Sequence, residues 1–312
     1  MKRVLLFVAA GAFAAGPWVS CAGVFDPAFR VTQTLGDTTI ATPDAPSFTS
    51  LENEKAYPYG SRLKTDRDGS CVLVLSVGNE CKVYAGATLT LQENPNDAKA
   101  KGVALENGKV DVALEKGFEA NNAFMVETHC MTATALEGGQ FSVDAMTESD
   151  LHGVLVACQD GKVKVSGPQF EIPFLDKDDW VSVSCSVDKG FTRIKNLKGT
   201  YEIRLWYTDG DPRVVELTPD MMVKIWRKRA ASADAWLVTI LIVSPTGQPV
   251  ETLSGRITGA LSPTGVRAAD WLNILTIASP TTVSAPVLPG YGYPGGVVPP
   301  TPTPVGRGRD ER

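Results

Sequence analysis

Apolar and polar residues alternate along much of the chain, and this pattern predicts β-strands rather than helices. The clearest case follows Gly138-Gly139, where Ser142 separates the apolar residues Phe141 and Val143. Alternation that resumes after a double glycine is typical of two half-buried strands joined by a tight turn. We therefore take this stretch as the pattern on which the rest of the chain is built.

Short strand patterns of this kind recur from residue 57 to residue 185, with turn residues between them. The run CVLVLSV at Cys71–Val77 is apolar on both faces, which predicts a fully buried strand. Asn107-Gly108 and Asp160-Gly161 indicate hairpin turns, because both central positions of such a turn require a positive φ. Regularly spaced short hairpin strands predict an all-β fold, namely a sandwich, a roll or a short β-solenoid.

The flanking regions are interpreted from their composition. Residues 23–56 are rich in Thr, Ser and Pro and are predicted to be a lead-in segment with one strand. Residues 186–280 contain further apolar runs, which indicate a second β-rich region: either a separate β-domain or an extension of the first sheet. Residues 281–312 are dominated by Pro and Gly and carry too little apolar surface for a core, so we predict a disordered tail.

The first 22 residues have the layout of a secretory signal peptide. Lys2 and Arg3 precede an apolar run and a group of small residues. Cys21 stands where a bacterial lipobox has its lipidated cysteine, whereas cleavage after Ala22 fits the small-residue rule equally well. We expect an exported protein, in the periplasm or, if Cys21 is acylated, at the outer membrane or cell surface. An acyl group would be its only membrane contact.

Cysteine usage is compatible with export but does not define a metal site. Most of the cysteines lie in Val-rich strand patterns and are predicted to be small buried hydrophobic residues; the six are Cys21, Cys71, Cys81, Cys130, Cys158 and Cys185. One disulfide among them would suit an oxidising compartment, although its pairing cannot be deduced from sequence. With two histidines in the chain, no zinc site of standard Cys/His spacing is expected.

The candidate chemical groups point to structure rather than catalysis, so we predict no catalytic, cofactor-binding or metal-binding residue. The loop that begins at Asp66 resembles a calcium loop, but Val77 stands where a bidentate glutamate is needed. Clustered aspartates are interpreted as turn formers; they are Asp176, Asp178, Asp179, Asp209 and Asp211. The net charge of −5 and the absence of a basic run argue against a nucleic-acid partner.

The remaining candidates are a histidine next to a cysteine and three tryptophans. His129 and Cys130 are neighbours on a predicted strand and would point to opposite faces, so they cannot act as base and nucleophile. We predict His129 in the core and Cys130 on the surface. Trp206, Trp226 and Trp236 are expected to pack in the core, with a sugar-stacking platform as the alternative.

The order of these motifs resembles a FecR-type domain, an extracytoplasmic module of bacterial iron-dicitrate signalling. The likeness extends over residues 57–183 and is sharpest from Phe-x-Val-x-Thr to Phe-x-Val, with Gln140 in place of the family's threonine. The matching motif positions are Gly60, Thr65, Gly108, Phe124, Val126, Thr128, Gly139, Phe141 and Val143. These are core and turn residues, so they specify a fold more than a function.

The resemblance implies a non-enzymatic module of the cell envelope that binds another envelope protein or a surface polymer, in signalling or as a scaffold. Only Met1-Lys2-Arg3 precede the apolar run, so we do not expect a cytoplasmic segment that controls a sigma factor directly. A structural or adhesive surface protein is the alternative. A secreted carbohydrate-active hydrolase is a third reading, because paired carboxylates can be distant in sequence.

Overall fold

The structure, a computed structural model, describes residues 29–76, 78–93, 101–116, 124–186, 188–230 and 235–258, all of them in strands, turns or loops. None of these described elements is a helix that could cross a membrane. The first strands in chain order are β1 (Phe29–Leu35), β2 (Thr38–Thr42), β3 (Ala45–Ser50), β4 (Ala56–Tyr57), β5 (Arg62–Thr65), β6 (Ser70–Ser76), β7 (Asn79–Val83), β8 (Thr88–Glu93), β9 (Lys101–Leu114), β10 (Met125–Glu127) and β11 (Thr132–Ala135). The others are β12 (Gly139–Glu148), β13 (Leu151–Asp160), β14 (Val163–Gly167), β15 (Phe170–Leu175), β16 (Trp180–Ser186), β17 (Phe191–Lys198), β18 (Tyr201–Leu205), β19 (Arg213–Leu217), β20 (Met222–Arg229), β21 (Ala235–Val243) and β22 (Pro249–Thr258).

These strands form two long sheets. Sheet A has the order β4-β1-β6-β7-β9-β12-β13-β16-β17-β20-β21-β22. Sheet B has the order β3-β2-β5-β8-β9-β10-β11-β14-β15-β18-β19. All pairings are antiparallel except that of β9 with β10. The all-β prediction is therefore confirmed, in the form of two layers that belong to one rolled sheet.

The chain builds the two layers together by alternating between them. From β12 to β19, two strands in sheet A are followed by two in sheet B, and each new hairpin extends the layer to which it returns. The last three described strands, β20, β21 and β22, all join sheet A. The inward positions of both layers meet in one core, for example Val143 and Val156 from sheet A with Val165 and Ile172 from sheet B. Burying each such side chain stabilises the fold by about 1.5–3 kcal/mol.

Strand β9 belongs to both sheets, and Gly108 is the point of transfer. Residues before Gly108 pair with β8 and β10 in sheet B, and residues after it pair with β7 and β12 in sheet A. Gly108 has a φ of 93°, and a Cβ there would collide with the backbone of Ala87. The prediction of a hairpin at Asn107-Gly108 is wrong: the positive φ redirects one continuous strand instead of reversing the chain.

The structure also tests the predictions for the two regions that flank residues 57–185. Residues 23–56 were expected to supply one strand, but they supply β1, β2 and β3, because short apolar–polar alternations such as Thr38–Thr42 are long enough to join existing sheets. Of the two alternatives for residues 186–280, the described part extends the first sheet: β17 pairs with β16, and β18 pairs with β15. The predicted signal peptide, Cys21 and the tail at 281–312 lie outside the described residues.

The transfer point gives a testable prediction with a close control. Gly108→Ala should lower the free energy of unfolding by about 2–4 kcal/mol, because it adds a clash in the core to the cost of a positive φ. Gly86→Ala, at a φ of 71° with open space around it, should lower the free energy of unfolding by only about 1 kcal/mol. Urea unfolding followed by circular dichroism measures both values. Equal losses for the two variants would mean that the approach to Ala87 does not constrain β9.

Candidate functional site

The sequence motif positions all serve the fold. Phe124, Val126, Phe141 and Val143 are buried in the core between the sheets. Gly60 occupies a turn before β5 with a φ of 83°. The buried motif side chains therefore build the core, and they form no surface that a ligand could reach.

The two motif threonines hold turns together through their hydroxyl groups. Buried Thr65 donates from Oγ1 to the carbonyl of Tyr84 at 2.7 Å and accepts from the N–H of Ala87 at 2.8 Å. Thr128 Oγ1 donates to the carbonyl of Met131 at 2.9 Å and accepts from its N–H at 3.2 Å. A hydroxyl group that satisfies otherwise unpaired backbone groups stabilises a turn, so both threonines act in folding.

A disulfide joins the two layers. Cys130, in the turn between β10 and β11 of sheet B, is bonded to Cys185 of β16 in sheet A, with their Cα atoms 5.5 Å apart. The other described cysteines are free and buried, and burial raises the pKa of the Cys71 and Cys158 thiols to about 12. Since the thiolate is the reactive form, these free thiols are chemically inert at neutral pH.

The chain's two histidines stack beside this disulfide. The rings of His129 and His152 lie 4.2 Å apart at their centroids with an interplanar angle of 27°. His152 Nδ1 is 3.1 Å from Thr147 Oγ1, and its backbone carbonyl is 3.4 Å from Cys130 Sγ. The predicted positions of His129 and Cys130 are reversed: His129 is exposed and Cys130 is buried, because these residues form a turn rather than a strand and the disulfide draws the sulfur inward.

The clustered aspartates make turn contacts. Asp179 Oδ2 accepts from the N–H of Asp176 at 2.8 Å, as expected of a turn-forming aspartate. Asp209 accepts from the N–H and the hydroxyl of Thr258, at 2.8 and 2.6 Å, and so ties the loop after β18 to the end of β22. Within the described ranges, no group of three or more His, Cys, Asp or Glu residues is arranged to hold a metal ion.

The tryptophans divide between the core and the surface. Trp236 is buried in the core, and Trp206 packs against the core from its margin. Trp226 is only partly buried and packs on Phe191, with ring centroids 5.6 Å apart. The prediction of core packing therefore fits Trp236 and Trp206, whereas Trp226 lies on the outer face of sheet A.

A buried arginine is the feature that sequence reasoning missed. Arg227 lies in the charged run Lys224–Arg229, which reads as a solvated strand, yet its side chain is fully buried. Its guanidinium donates to Thr192 Oγ1 of sheet A at 2.8 Å and to Gln169 Oε1, in the β14–β15 turn of sheet B, at 3.3 Å. Burial lowers its pKa to about 10. Period-two alternation between Ile225 and Arg227 was the only signal for its inward position.

The sheet edges are the exposed elements best suited to bind a partner, because an edge strand carries unpaired backbone groups. Three of the four edges are obstructed. The edge strand β4 has only two residues, and β19 carries Arg213 and Glu216. Strand β22 is tied down by Asp209, and its inward Glu251 pairs with Arg213 at 3.1 Å.

Strand β3 is the open edge. All six of its residues are exposed, none is charged, and Phe48 has 43% of its surface accessible. Pro46 has no backbone N–H, so the other residues of β3 would have to supply the backbone donors to an added strand. It pairs only with β2 in the described part of the chain, through contacts such as Ile40 with Thr49. An uncharged edge with an exposed aromatic side chain offers backbone hydrogen bonds and an apolar anchor to an added strand. We therefore take β3 as the candidate functional site.

Comparison with known proteins yields a weak structural likeness. No family model matches the chain, and no curated protein matches it. Two crystal structures of a "putative anti-sigma factor" from Parabacteroides distasonis ATCC 8503, at 2.50 and 1.65 Å resolution, are similar in structure at 18% and 17% sequence identity with a TM-score of 0.34. Each match covers 51% of this chain and 60% of that protein, so the chain spans less than two thirds of the length of these structural neighbours.

The disulfide should be a major source of stability. It closes a loop of 55 residues, and loop-closure entropy for that length corresponds to about 4 kcal/mol. Reduction of the wild-type protein with dithiothreitol should therefore lower its free energy of unfolding by about 4 kcal/mol. The Cys130→Ala/Cys185→Ala variant should be destabilised to a similar extent and should no longer respond to the reductant. A wild-type protein that is equally stable with and without reductant would contradict this prediction.

The stacked histidines should make stability depend on pH. Burial, together with the neighbouring His129, lowers the pKa of His152 below its usual value near 6.5. Below about pH 6.5 the unfolded chain therefore binds a proton at His152 more readily than the folded chain does. The contribution of His152 to the free energy of unfolding is fully present above that pH and is lost as the pH falls below it. In His152→Gln the stability lost on acidification from neutral pH should be smaller than in wild type, as urea midpoints measure. His129→Gln should reduce that loss only in part, and identical slopes in all three proteins would refute the assignment.

Proposed function

We propose that this chain is a non-enzymatic, exported module of the bacterial cell envelope that binds a protein partner, in a signalling or scaffold role. The inter-layer disulfide between Cys130 and Cys185 carries the proposal, because such bonds persist in oxidising compartments outside the cytoplasm. The signal-peptide pattern of residues 1–22 supports the same location. The resemblance of residues 57–183 to FecR-type domains supports an envelope role, since domains of that family are extracytoplasmic.

The partner is proposed to add a strand to the open edge of β3. Main-chain hydrogen bonds from the free side of β3 would supply affinity, and Phe48 would anchor the partner. The remaining charged or tied edges of the two sheets would disfavour the same mode of binding. This gives the module one preferred end at which an envelope protein would bind.

Crosslinking in cells of the native bacterium tests this proposal. The full chain should form one adduct of defined mass with an envelope protein, and Phe48→Asp should reduce the adduct about tenfold, as loss of a central aromatic anchor does. Phe174→Asp is the matched control, because Phe174 is also an exposed phenylalanine of sheet B (52% accessible) but lies on the internal strand β15. The control should leave the adduct unchanged.

Three results would count against the proposal. Equal loss of the adduct in both variants would remove β3 as the binding edge. Recovery of the chain from cytosol with Cys130 and Cys185 open to alkylation would refute an extracytoplasmic location. Turnover of a glycan by the purified chain would replace the binding role with a hydrolase.

A further inference from the structure

The outer face of sheet A near its C-terminal end is basic. In strands β17, β20 and β22, residues alternate between the core and the outside, and Ile194, Val223 and Ile257 mark the buried positions. The charged residues at the outward positions of these strands are all cations: Arg193, Lys195, Lys224, Lys228 and Arg256. The outward positions of the intervening β21 are uncharged. We call this surface the basic face.

The cations of the basic face are placed against one another. Arg193 of β17 is directly opposite Lys224 of β20, and like charges at such positions destabilise a sheet. Arg193 is steadied by a hydrogen bond from Nε to Ser184 Oγ at 3.2 Å, which involves no carboxylate. An anion that binds between these two cations would relieve their repulsion.

Carboxylates reach the basic face only at its margins in the described residues. Asp220, in the turn before β20, pairs with Lys195 at 2.9 Å. Asp209 lies near Arg256, and its pKa is lowered mainly by hydrogen bonds from Thr258 and to a smaller extent by this arginine. Lys224 and Lys228 have no carboxylate within salt-bridge distance in the described part of the chain.

Apolar side chains lie between the cations. Leu237, 47% accessible, is in register with Lys228 on one side and Arg256 on the other. Trp226 separates Lys224 from Lys228 along β20, and Leu241 is in register with Lys224. From β17 to β22 the face is about 14 Å wide, and Lys224 and Lys228 are about 14 Å apart along the strand.

Charge is distributed unevenly around the molecule. The chain as a whole has a net charge of −5, so the basic face is not a consequence of composition. The outer face of sheet B at the same end is mixed: Glu202 lies opposite Glu216, and Arg204 pairs with Glu202 and Glu171. The basic face is therefore a local concentration of positive charge on an acidic protein, and it favours an anionic partner.

We propose that the basic face docks on the surface of an anionic phospholipid bilayer. Its cations are spread over the outer faces of neighbouring strands instead of being gathered in a cleft, which suits an array of headgroup phosphates more than a single acidic peptide. Trp226 and Leu237 lie where the headgroup region accepts partly apolar side chains. This contact is separate from the β3 edge, and it needs neither a lipid anchor nor a protein partner.

Vesicle cosedimentation tests the proposal. The full chain carrying Cys21→Ser, so that no acyl group contributes, should bind vesicles of phosphatidylglycerol and phosphatidylcholine at low salt and lose that binding as salt is raised. It should not bind vesicles of phosphatidylcholine alone. Lys224→Glu/Lys228→Glu should weaken binding at least about tenfold. Lys64→Glu/Lys164→Glu, an equal charge change on the outer face of sheet B, should bind like the parent protein.

The design separates folding from binding. Lys224→Glu places a carboxylate opposite Arg193, so this variant should be at least as stable as the parent in urea. Lys228→Glu/Arg256→Glu is a second route to the same loss of binding. Failure of the parent to bind anionic vesicles, or equal binding by face and control variants, would overturn the proposal. Binding to immobilised poly-glutamate without binding to vesicles would overturn it in favour of an acidic polypeptide.

Discussion

The structure depends on the passage of one strand through both sheets. Because β9 pairs in sheet B before Gly108 and in sheet A after it, the two layers are continuous and cannot be displaced sideways without breaking its backbone hydrogen bonds. A strand that pairs with β9 before Gly108 belongs to sheet B, as β10 does, and one that pairs with β9 after Gly108 belongs to sheet A, as β7 does. Ala87 packs against Gly108 where the crossing occurs, which leaves no room for any other residue type.

Farther from β9, a disulfide and a hydrogen-bonded arginine connect the two layers. The Cys130–Cys185 disulfide joins the β10–β11 turn to β16, and Arg227 joins β20 to the β14–β15 turn through Gln169. One connection is covalent and the other is a buried polar network, which requires good geometry to offset the loss of hydration. The disulfide therefore ties the β10–β11 hairpin of sheet B to sheet A, and Arg227 ties β20 of sheet A to the β14–β15 hairpin of sheet B.

The molecule offers two different surfaces at its two ends. The N-terminal end of sheet B finishes in the uncharged strand β3, whereas the C-terminal end of sheet A carries the basic face. The proposals for these surfaces rest on different physics: unpaired backbone groups in one case and charge complementarity in the other. The two surfaces share no strand, so the two proposed contacts do not compete for the same residues.

Local alternation of apolar and polar residues determined the strands, because a pleated strand sends successive side chains to opposite faces whatever its neighbours. Glycine positions such as Asp160-Gly161 were sound guides to turns, since they depend on local backbone conformation. Alternation cannot determine which sheet a strand joins, and this is why the predicted reversal at Asn107-Gly108 is wrong. The same limit applies to the thiols, the buried Arg227 and the basic face.

Each of those features arises from residues brought together across the sheets. Cys130 and Cys185 are distant in sequence, and Arg193 and Lys224 meet only through the pairing of β17 with β20. A chain without a basic run can therefore present a basic face, because register places cations from separate strands side by side. The sequence by itself determined the fold class and the turn chemistry. Only the tertiary structure decided the cross-links and the surfaces, because both depend on distances between strands that are far apart in sequence.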